Sequence, residues 1–177
     1  NIEGCWACAV RCKKVVQADA PFVVDPDYGG PEYETVAMFG ADCGIEDPYA
    51  IAYASQLCNE YGVDTISAGA TMAFAIECFE KGLITSEDTV GIELAWGDAE
   101  AMIAMLESTL ERRGFGDVLA EGTAEAAVTI GNGSEDLVVA SKKQELPAHM
   151  PRVKPSLGVI YAVNPFGADH QSSEHDP

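Results

Sequence analysis

The chain has 177 residues, 47% of them hydrophobic and 22% charged, and its 29 Asp and Glu residues against 10 Lys and Arg residues give a formal net charge of -19. So acidic a chain has too little positive charge for a surface that follows nucleic-acid phosphates or binds an anionic membrane. Its longest apolar stretches are interrupted by Gly, Glu or Asp, so none approaches the ~20 apolar residues of a membrane span. We therefore expect neither nucleic acid nor membrane among its partners.

Three of the six cysteines, Cys5, Cys8 and Cys12, are crowded near the start of the sequence. The N-terminal sixteen residues are predicted to form a short helix, on which a spacing of i, i+3 and i+7 places the three sulfurs on one side. Three thiolates on one face can hold an iron–sulfur cluster or a structural zinc ion, and incidental cysteines are the third interpretation. Cys58 and Cys78 lie in helical patterns and are expected to be buried hydrophobic side chains.

After an irregular stretch at residues 17–46, the pattern becomes strongly helical. Asp47 is an N-cap followed by Pro48 at the first helical position, and apolar residues recur at helical spacing until Gly62 ends the run. A second helix is predicted over residues 66–81. Its surface is almost wholly apolar or small, which indicates the most buried element of the core.

Further helices are predicted after Asp98, through residues 99–113, and around residues 116–131. Three prolines and a change to basic residues after this point indicate a connection between two domains. We divide the chain into a helical domain at residues 1–140 and the start of a second, truncated helical domain at residues 141–177. The fold class is mainly α and multihelical.

Four segments read together point to a known family: CWACAVRC (5–12), GPEYET (30–35), CNEYGVDTISAGATMAFAIECFEKG (58–82) and NPFGADH (164–170). In this order and at these separations they resemble the tungsten-containing aldehyde:ferredoxin oxidoreductase family, over nearly the whole chain. The resemblance implies the C-terminal helical domains of a longer enzyme, namely the second domain and the beginning of the third. It also implies an N-terminal β domain that binds a bis-pterin tungsten cofactor, so the missing N- and C-terminal segments of the parent chain are expected partners.

The same resemblance implies an iron–sulfur centre at the N-terminal cysteines. The family's cluster motif matches Cys5, Cys8 and Cys12, which would hold a four-iron four-sulfur cluster whose fourth cysteine lies outside this chain. The second cofactor would be a tungsten bis-pterin, with molybdenum as the alternative metal.

Two segments match the family's pterin contacts. The pattern D-x-x-G-L-D reads NEYGVD here, so Asn59, Val63 and Asp64 are expected contacts, although Asn59 replaces the usual Asp and accepts a hydrogen bond without a full charge. By its residues alone this segment is a helix C-cap followed by an N-cap for the next helix, and both interpretations can hold. The NPFGADH segment adds three further expected cofactor-binding residues, which are Pro165, Phe166 and Asp169.

The catalytic candidates implied by the resemblance are a glutamate and a histidine. Glu34 is the expected acid–base glutamate and Glu32 the reserve, and a solvated acidic loop is the alternative interpretation. His170 has a side chain suited to proton transfer near neutral pH, and a solvated loop histidine is its alternative. Gly167 would let the backbone approach a ligand closely. His149 and His175 receive no role.

The activity implied is oxidation of a small aldehyde to a carboxylic acid, with Glu34 and His170 handling protons and electrons passing through the cluster to ferredoxin. A cytoplasmic protein is expected, and a homodimer is left open as its assembly. Two alternatives remain. The first is a tungsten-containing aromatic acyl-CoA reductase subunit of the same family, and the second is a non-catalytic, zinc-stabilised helical domain.

Overall fold

The computed structural model describes residues 2–172, and within that range the chain is mainly α, which confirms the predicted fold class. The α-helices of this range are α1 (Tyr33–Val36), α2 (Pro48–Tyr61), α3 (Thr65–Glu80), α4 (Ala99–Leu110), α5 (Phe115–Leu119), α6 (Thr123–Ile130) and α7 (Pro155–Val163). Its strands form two antiparallel pairs, β1 (Ile2–Glu3) with β2 (Lys13–Lys14) and β3 (Ala140–Ser141) with β4 (Gln144–Glu145). None of the helices described is long and apolar enough to span a bilayer.

The three central helices begin where the predicted caps stand. The carboxylates of Asp47, Asp64 and Asp98 each accept a hydrogen bond from a backbone N–H of the first helical turn, at 2.9, 2.8 and 3.0 Å. Gly62 ends α2 in the left-handed conformation, with φ of 70°. The predicted bounds of α2 and α3 are therefore confirmed to within a residue or so.

Helix α3 is the core of the molecule, as its composition predicts. Nine of its 16 residues are buried, and it packs against α2, α4, α6 and the helical segment that follows Glu32. Cys58 and Cys78 are both fully buried in this core, as expected. Burial raises the pKa of Cys58 to about 12 and that of Cys78 to about 11, so both thiols are protonated at neutral pH.

The stretch predicted to be irregular contains a helical segment. Helix α1 continues directly into a six-residue π-helix, Ala37–Asp42, and the two pack on α3. Gly69 on α3 makes this packing possible, because a Cβ at that position would lie only 2.5 Å from Cβ of Met38. The segment places Glu34 in the first turn of α1, beside the core.

The N-terminal helix predicted over residues 1–16 is wrong in the range described. Instead β1 and β2 pair as a hairpin, and the loop between them contains Ala7 and Arg11 with φ of 58° and 52°. A right-handed helix cannot contain residues in this conformation. An isolated helix of this length is also marginal in water. The pairing of Ile2–Glu3 with Lys13–Lys14 therefore forms instead of the helix that the local sequence pattern predicts.

Two helix bounds near the middle of the chain also differ from the prediction. Helix α4 ends at Leu110, and Arg112 lies beyond it with φ of 53°, bonded to Asp117 and Glu121 at 2.8 and 2.7 Å. The single helix predicted at residues 116–131 is two helices, α5 and α6. Gly122 separates them because its φ of 82° is incompatible with a continuous helix.

Candidate functional site

Three side chains that can bind a proton or a metal meet at one place. Glu34 comes from the first turn of α1, His149 from the segment between β4 and α7, and His170 from the segment after α7. One carboxylate oxygen of Glu34 and one ring nitrogen of each histidine lie within 4.8 Å of one another. In residues 2–172 no other set of three Asp, Glu, His or Cys side chains is gathered as closely. We call this set the Glu34 cluster.

The carboxylate of Glu34 is held at both oxygens. Its Oε2 accepts a hydrogen bond of 2.8 Å from the backbone N–H of Ala148, and its Oε1 contacts Nδ1 of His149. The same Oε1 lies 3.8 Å from Nε2 of His170. The two imidazole rings are stacked, with centroids 4.6 Å apart and an interplanar angle of 16°. A single carboxylate oxygen therefore faces both histidines.

The cluster is largely withdrawn from solvent. The side chains of Glu34, His149 and His170 retain 13%, 23% and 8% of their exposure. The ring of Tyr33 meets His149 edge-on at 5.5 Å, and the amide nitrogen of Gln171 lies 2.8 Å from Nε2 of His170. An amide NH2 group can only donate a hydrogen bond, so Nε2 of His170 is the acceptor in this contact.

Tyr161 supports the cluster from α7. It is buried, and its hydroxyl donates a hydrogen bond of 2.8 Å to the carbonyl oxygen of His149. Burial, together with the negative charges of Glu34 and Asp169, raises the pKa of Tyr161 to about 12. The hydroxyl is therefore a permanent donor at physiological pH and fixes the backbone that carries His149.

An apolar cavity of about 480 Å³ opens beside the cluster, with Tyr33 and Ala148 in its wall. Three carboxylates, Asp42, Glu77 and Glu145, are its charged lining residues. Withdrawal from water raises the pKa of Asp42, and the charge of Glu77 adds to this effect. The cavity could accommodate an organic molecule next to the Glu34 cluster.

The structure brings together the two residues proposed from the sequence as catalytic, Glu34 and His170, and adds a third that sequence reasoning left without a role. His149 contacts Glu34 across 115 positions of the chain. Nothing local in the sequence marks this pairing, and the side-chain type was the only available signal. Glu32 faces elsewhere, because its carboxylate pairs with Lys14 of β2 at 3.3 Å.

The segment NPFGADH contains three predicted residues, Pro165, Phe166 and Asp169, and ends at His170 of the Glu34 cluster. Pro165 and Phe166 are exposed, Phe166 to 70%. Asp169 accepts hydrogen bonds from the Ser172 hydroxyl and from the backbone N–H of Gln171, and these bonds lower its pKa. Asp169 is therefore a carboxylate at neutral pH, one residue from the buried His170.

Gly167 does allow a close approach, but to the chain's own backbone. Its φ is 92°, and a Cβ there would lie 2.1 Å from the carbonyl oxygen of Ser141. We expected this glycine to let the backbone approach a ligand. In the structure the space beside Gly167 is occupied by Ser141 of β3, so the glycine serves packing within the chain. This contact with β3 fixes the position of the loop that contains His170.

The other expected pterin contacts lie in the last turn of α2 and in the short connection to α3. Asn59 donates its side-chain amide to a backbone carbonyl at 3.4 Å, Val63 is 41% exposed, and Asp64 caps α3. The hydroxyl groups of Thr35 and Thr65, which neighbour Glu34 and Asp64 in sequence, are 2.8 Å apart. This bond links the loop to the segment that holds the Glu34 cluster.

The three N-terminal cysteines all lie in the exposed loop of the β1–β2 hairpin. Hydrogen bonds from the backbone N–H groups of Arg11 and Val10 lower the pKa of Cys8. Cys5, Cys8 and Cys12 therefore share one loop and solvent access. They do not meet as closely as the three members of the Glu34 cluster in the part of the chain described.

Comparison with known proteins relates the chain to one family. The family model "Aldehyde ferredoxin oxidoreductase, domains 2 & 3" matches residues 1–176. The tungsten-containing aldehyde ferredoxin oxidoreductase of Pyrococcus furiosus is 40% identical over 167 residues, which are 94% of this chain and 27% of that protein. The WOR-like subunit of an aliphatic sulfonate oxidoreductase from the same organism is 35% identical over 181 residues, covering 97% of this chain and 29% of the subunit.

A solved structure has a similar fold. It is the active-site complex BamBC of benzoyl coenzyme A reductase with 1,5-dienoyl-CoA, and it matches with a TM-score of 0.77 and 28% identity. The match covers 93% of this chain and 24% of that one. The chain thus spans between 24% and 29% of the length of these three proteins.

Proposed function

The chain belongs to the aldehyde ferredoxin oxidoreductase family, and from this we propose that it is part of a tungsten enzyme that oxidises aldehydes to carboxylic acids with ferredoxin as electron acceptor. The observation that carries the proposal is the meeting of Glu34 and His170 beside an apolar cavity. These are the two residues for which the family resemblance implies proton handling.

The hairpin loop fits three ligands of a four-iron four-sulfur cluster. Cys5, Cys8 and Cys12 are reduced and accessible, and two backbone N–H groups stabilise the thiolate of Cys8. Such N–H donors to sulfur are among the features that tune iron–sulfur clusters. Trp6 and Val10 in the same loop are 97% and 76% exposed, which suits a loop that is covered when a cluster and further parts of the protein are present.

The residues expected around a pterin fit its hydrogen-bonding groups. Asp64 and Asp169 offer carboxylates, each oxygen of which can accept more than one hydrogen bond, and Asn59 offers an amide. Pro165 and Phe166 offer exposed apolar surface. When bound, a tungsten bis-pterin or its molybdenum equivalent would supply the two-electron chemistry and the cluster would supply one-electron transfer.

The protein's own contribution is proton handling and positioning. Glu34 accepts hydrogen bonds at both oxygens, so its carboxylate has a fixed orientation, and His170 is buried with Nε2 3.8 Å from it. Either group can hold the proton released when water adds to an aldehyde carbon. The apolar cavity beside them would exclude bulk water from the organic part of the substrate.

The test uses the purified full-length parent protein, kept free of oxygen. Elemental analysis should give about four irons and one tungsten or molybdenum per chain, and aldehyde should reduce ferredoxin. Glu34→Gln should lower kcat by about 10²-fold or more, whereas Glu32→Gln, whose carboxylate pairs with Lys14, should retain activity. Zinc without iron or tungsten would instead support the non-catalytic helical domain.

The likeness to BamBC favours a second candidate activity on the same fold, namely reduction of the ring of an aromatic acyl-CoA. It ranks lower because the identity of 28% is below the 40% shared with the aldehyde enzyme. Supplying the parent enzyme with reduced ferredoxin and benzoyl-CoA, then analysing the products, separates the two. Formation of a dienoyl-CoA with no aldehyde oxidation would replace the first proposal.

The remaining assignments are part of the same proposal. We assign residues 1–140 and 141–177 to two different domains of the parent enzyme, which would act in the cytoplasm, with a homodimer as its candidate assembly. Contacts cross this division at several places, among them the hydrogen bonds between Glu145 and Thr123. Mass measurement of the native parent protein tests the assembly.

A further inference from the structure

We propose that the apolar cavity beside the Glu34 cluster selects aldehydes by charge, and that Asp42 is the residue that sets this preference. An aldehyde with a cationic group remote from its carbonyl, such as a quaternary ammonium, is favoured. One with a carboxylate, sulfonate or phosphate at that position is disfavoured. The inference rests on the proposed function and adds to it a class of substrate.

Two helical segments form one wall of the cavity and connect its two ends. At helical spacing, α1 with the π-helix after it contributes Tyr33, Ala37, Met38, Ala41 and Asp42, and α3 contributes Ala70, Ala73, Phe74 and Glu77. Glu34 lies near the start of the first segment and Asp42 at its end. At a rise of ~1.5 Å per residue the two positions are roughly 10–12 Å apart along the helix axis. A substrate whose carbonyl lies beside Glu34 can therefore extend along this wall toward Asp42.

Asp42 shares its end of the cavity with an aromatic side chain and a second carboxylate. The backbone N–H of Gly97 donates a hydrogen bond of 3.0 Å to the carbonyl oxygen of Cys43, which places Trp96 close to Asp42. Withdrawal from water and the negative charge of Glu77 raise the pKa of Asp42, so Glu77 is a close neighbour as well. An indole ring together with carboxylates is a combination that recognises ammonium groups.

The negative charge at this end is only partly balanced by the protein. Among the described residues that line the cavity, none is Lys, Arg or His. Outside the lining, Lys81 pairs with Glu77 at 3.4 Å and offsets part of its charge, and the third lining carboxylate, Glu145, is bonded to Thr123. The carboxylate of Asp42 has no hydrogen bond or ion pair with another residue in the part of the chain described, and it reaches solvent. Asp42 is therefore the lining carboxylate that is available to a ligand.

A cationic substrate would relieve the two effects that raise the pKa of Asp42. A positive group beside this carboxylate replaces part of its lost hydration and offsets the repulsion from Glu77. An anionic group would instead add a third negative charge to an end of the cavity that already holds two. The formal net charge of -19 acts in the same direction during approach, because it attracts cations and repels anions.

The experiment compares three para-substituted benzaldehydes of nearly equal shape on the full-length enzyme with its cofactors. Their substituents are trimethylammonio, tert-butyl and sulfonate, which are positive, neutral and negative. The ratio of kcat/KM for the cation to kcat/KM for the anion should fall about tenfold in Asp42→Asn, mainly through KM. The intrinsic reactivity of each aldehyde cancels when the same ratio is compared between two enzymes. Glu80→Gln removes an equal charge from α3 outside the cavity lining and should keep the wild-type ratio.

Equilibrium binding gives a second measurement that does not require turnover. Phenyltrimethylammonium and benzenesulfonate lack the aldehyde group but keep the charged ends of the substrates. Calorimetry should show tighter binding of the cation by the wild type, with a smaller difference in Asp42→Asn. Thermal unfolding verifies that each variant is folded, and Glu77→Gln provides the test if Asp42→Asn is not.

If aldehydes are oxidised, an equal kcat/KM ratio in the wild type and Asp42→Asn would overturn the charge selection and leave the proposed function standing. If the enzyme oxidises no aldehyde, the proposed function fails and the binding measurement decides the charge preference of the cavity. In that case, binding of benzenesulfonate as tightly as phenyltrimethylammonium would overturn the proposal. A cation preference that Asp42→Asn leaves unchanged would overturn it too, because another residue would then be its source.

Discussion

Glu145 caps a helix that lies 22 residues before it in the sequence. Its Oε1 accepts hydrogen bonds of 2.8 Å from both the backbone N–H and the hydroxyl of Thr123, the first residue of α6. Gly122 precedes α6 and has no side chain to act as a cap, so the buried glutamate of β4 takes that role.

We expect Glu145→Ala to lower the free energy of unfolding by about 1–3 kcal/mol, because two buried donors lose their acceptor. Glu145→Gln should cost less, since its amide oxygen can still accept both bonds. Urea denaturation of the two variants measures the difference. Equal losses would mean that the charge, and not the hydrogen bonds, stabilises α6.

Gly167→Ala should destabilise the protein by more than Gly131→Ala. Both glycines have positive φ, 92° and 65°, but a Cβ at residue 131 meets nothing within 4 Å, whereas one at residue 167 meets Ser141 at 2.1 Å. The control therefore measures backbone strain alone, about 1–2 kcal/mol, and the overlap should add about 1–3 kcal/mol. Thermal unfolding measures the loss of stability in each variant. Similar losses would show that the loop containing Gly167 moves to accommodate the added Cβ without a further loss of stability.

Asp64→Ala and Asp98→Ala should cost similar stability, about 1 kcal/mol each, because both remove an N-cap hydrogen bond. They should differ in cofactor content, since only Asp64 is proposed to contact the pterin. Chemical denaturation gives the first quantity and tungsten analysis of the purified parent enzyme the second. Full tungsten occupancy in Asp64→Ala would limit this residue to capping α3.

Alkylation with iodoacetamide should divide the six cysteines into two groups when no metal is bound. The three in the hairpin loop should react, Cys8 fastest because its pKa is lowered. Cys58 and Cys78, with pKa values of about 12 and 11, and the buried Cys43 should react only after denaturation. Mass spectrometry of peptides over time measures this, and early labelling of Cys58 would contradict the buried core position.

Asp88 should make stability depend on pH in the acid range. The backbone N–H and hydroxyl of Thr85 donate to its carboxylate and lower its pKa below the ordinary 3.8. Its contribution is therefore present above pH 3.8 and is lost as the pH falls through the lower folded-state value. The stability difference between wild type and Asp88→Asn should shrink on acidification, while Glu87→Gln serves as the control for charge. A difference that is constant with pH would exclude this effect.

Much of the helical core could be predicted because its signals are local. Asp47, Asp64 and Asp98 mark helix starts by a hydrogen bond within the first turn, and Gly62 marks an end by its own φ. The burial of α3 follows from its composition, since a helix without a polar face must be surrounded. These properties depend on residues within a few positions of one another.

The rest depends on partners that are distant in sequence. The cysteine spacing fits a helix equally well, and only the pairing of Ile2–Glu3 with Lys13–Lys14 turns the segment into a hairpin. The π-helix after α1 depends on packing against Gly69. For the candidate site, the family resemblance pointed to Glu34 and His170, whereas the contact of His149 with Glu34 leaves no local trace in the sequence.

The contact between Glu34 and His149 also determines when this site can form. The chain between them must be closed into a loop of 115 positions, whereas α2, α3 and α4 pack mainly against one another and against helices that end before residue 140. During synthesis, the helical core can therefore be complete before residue 149 has left the ribosome. A nascent chain arrested just before His149 should already resist proteolysis in α2–α4 and yet contain no Glu34 cluster.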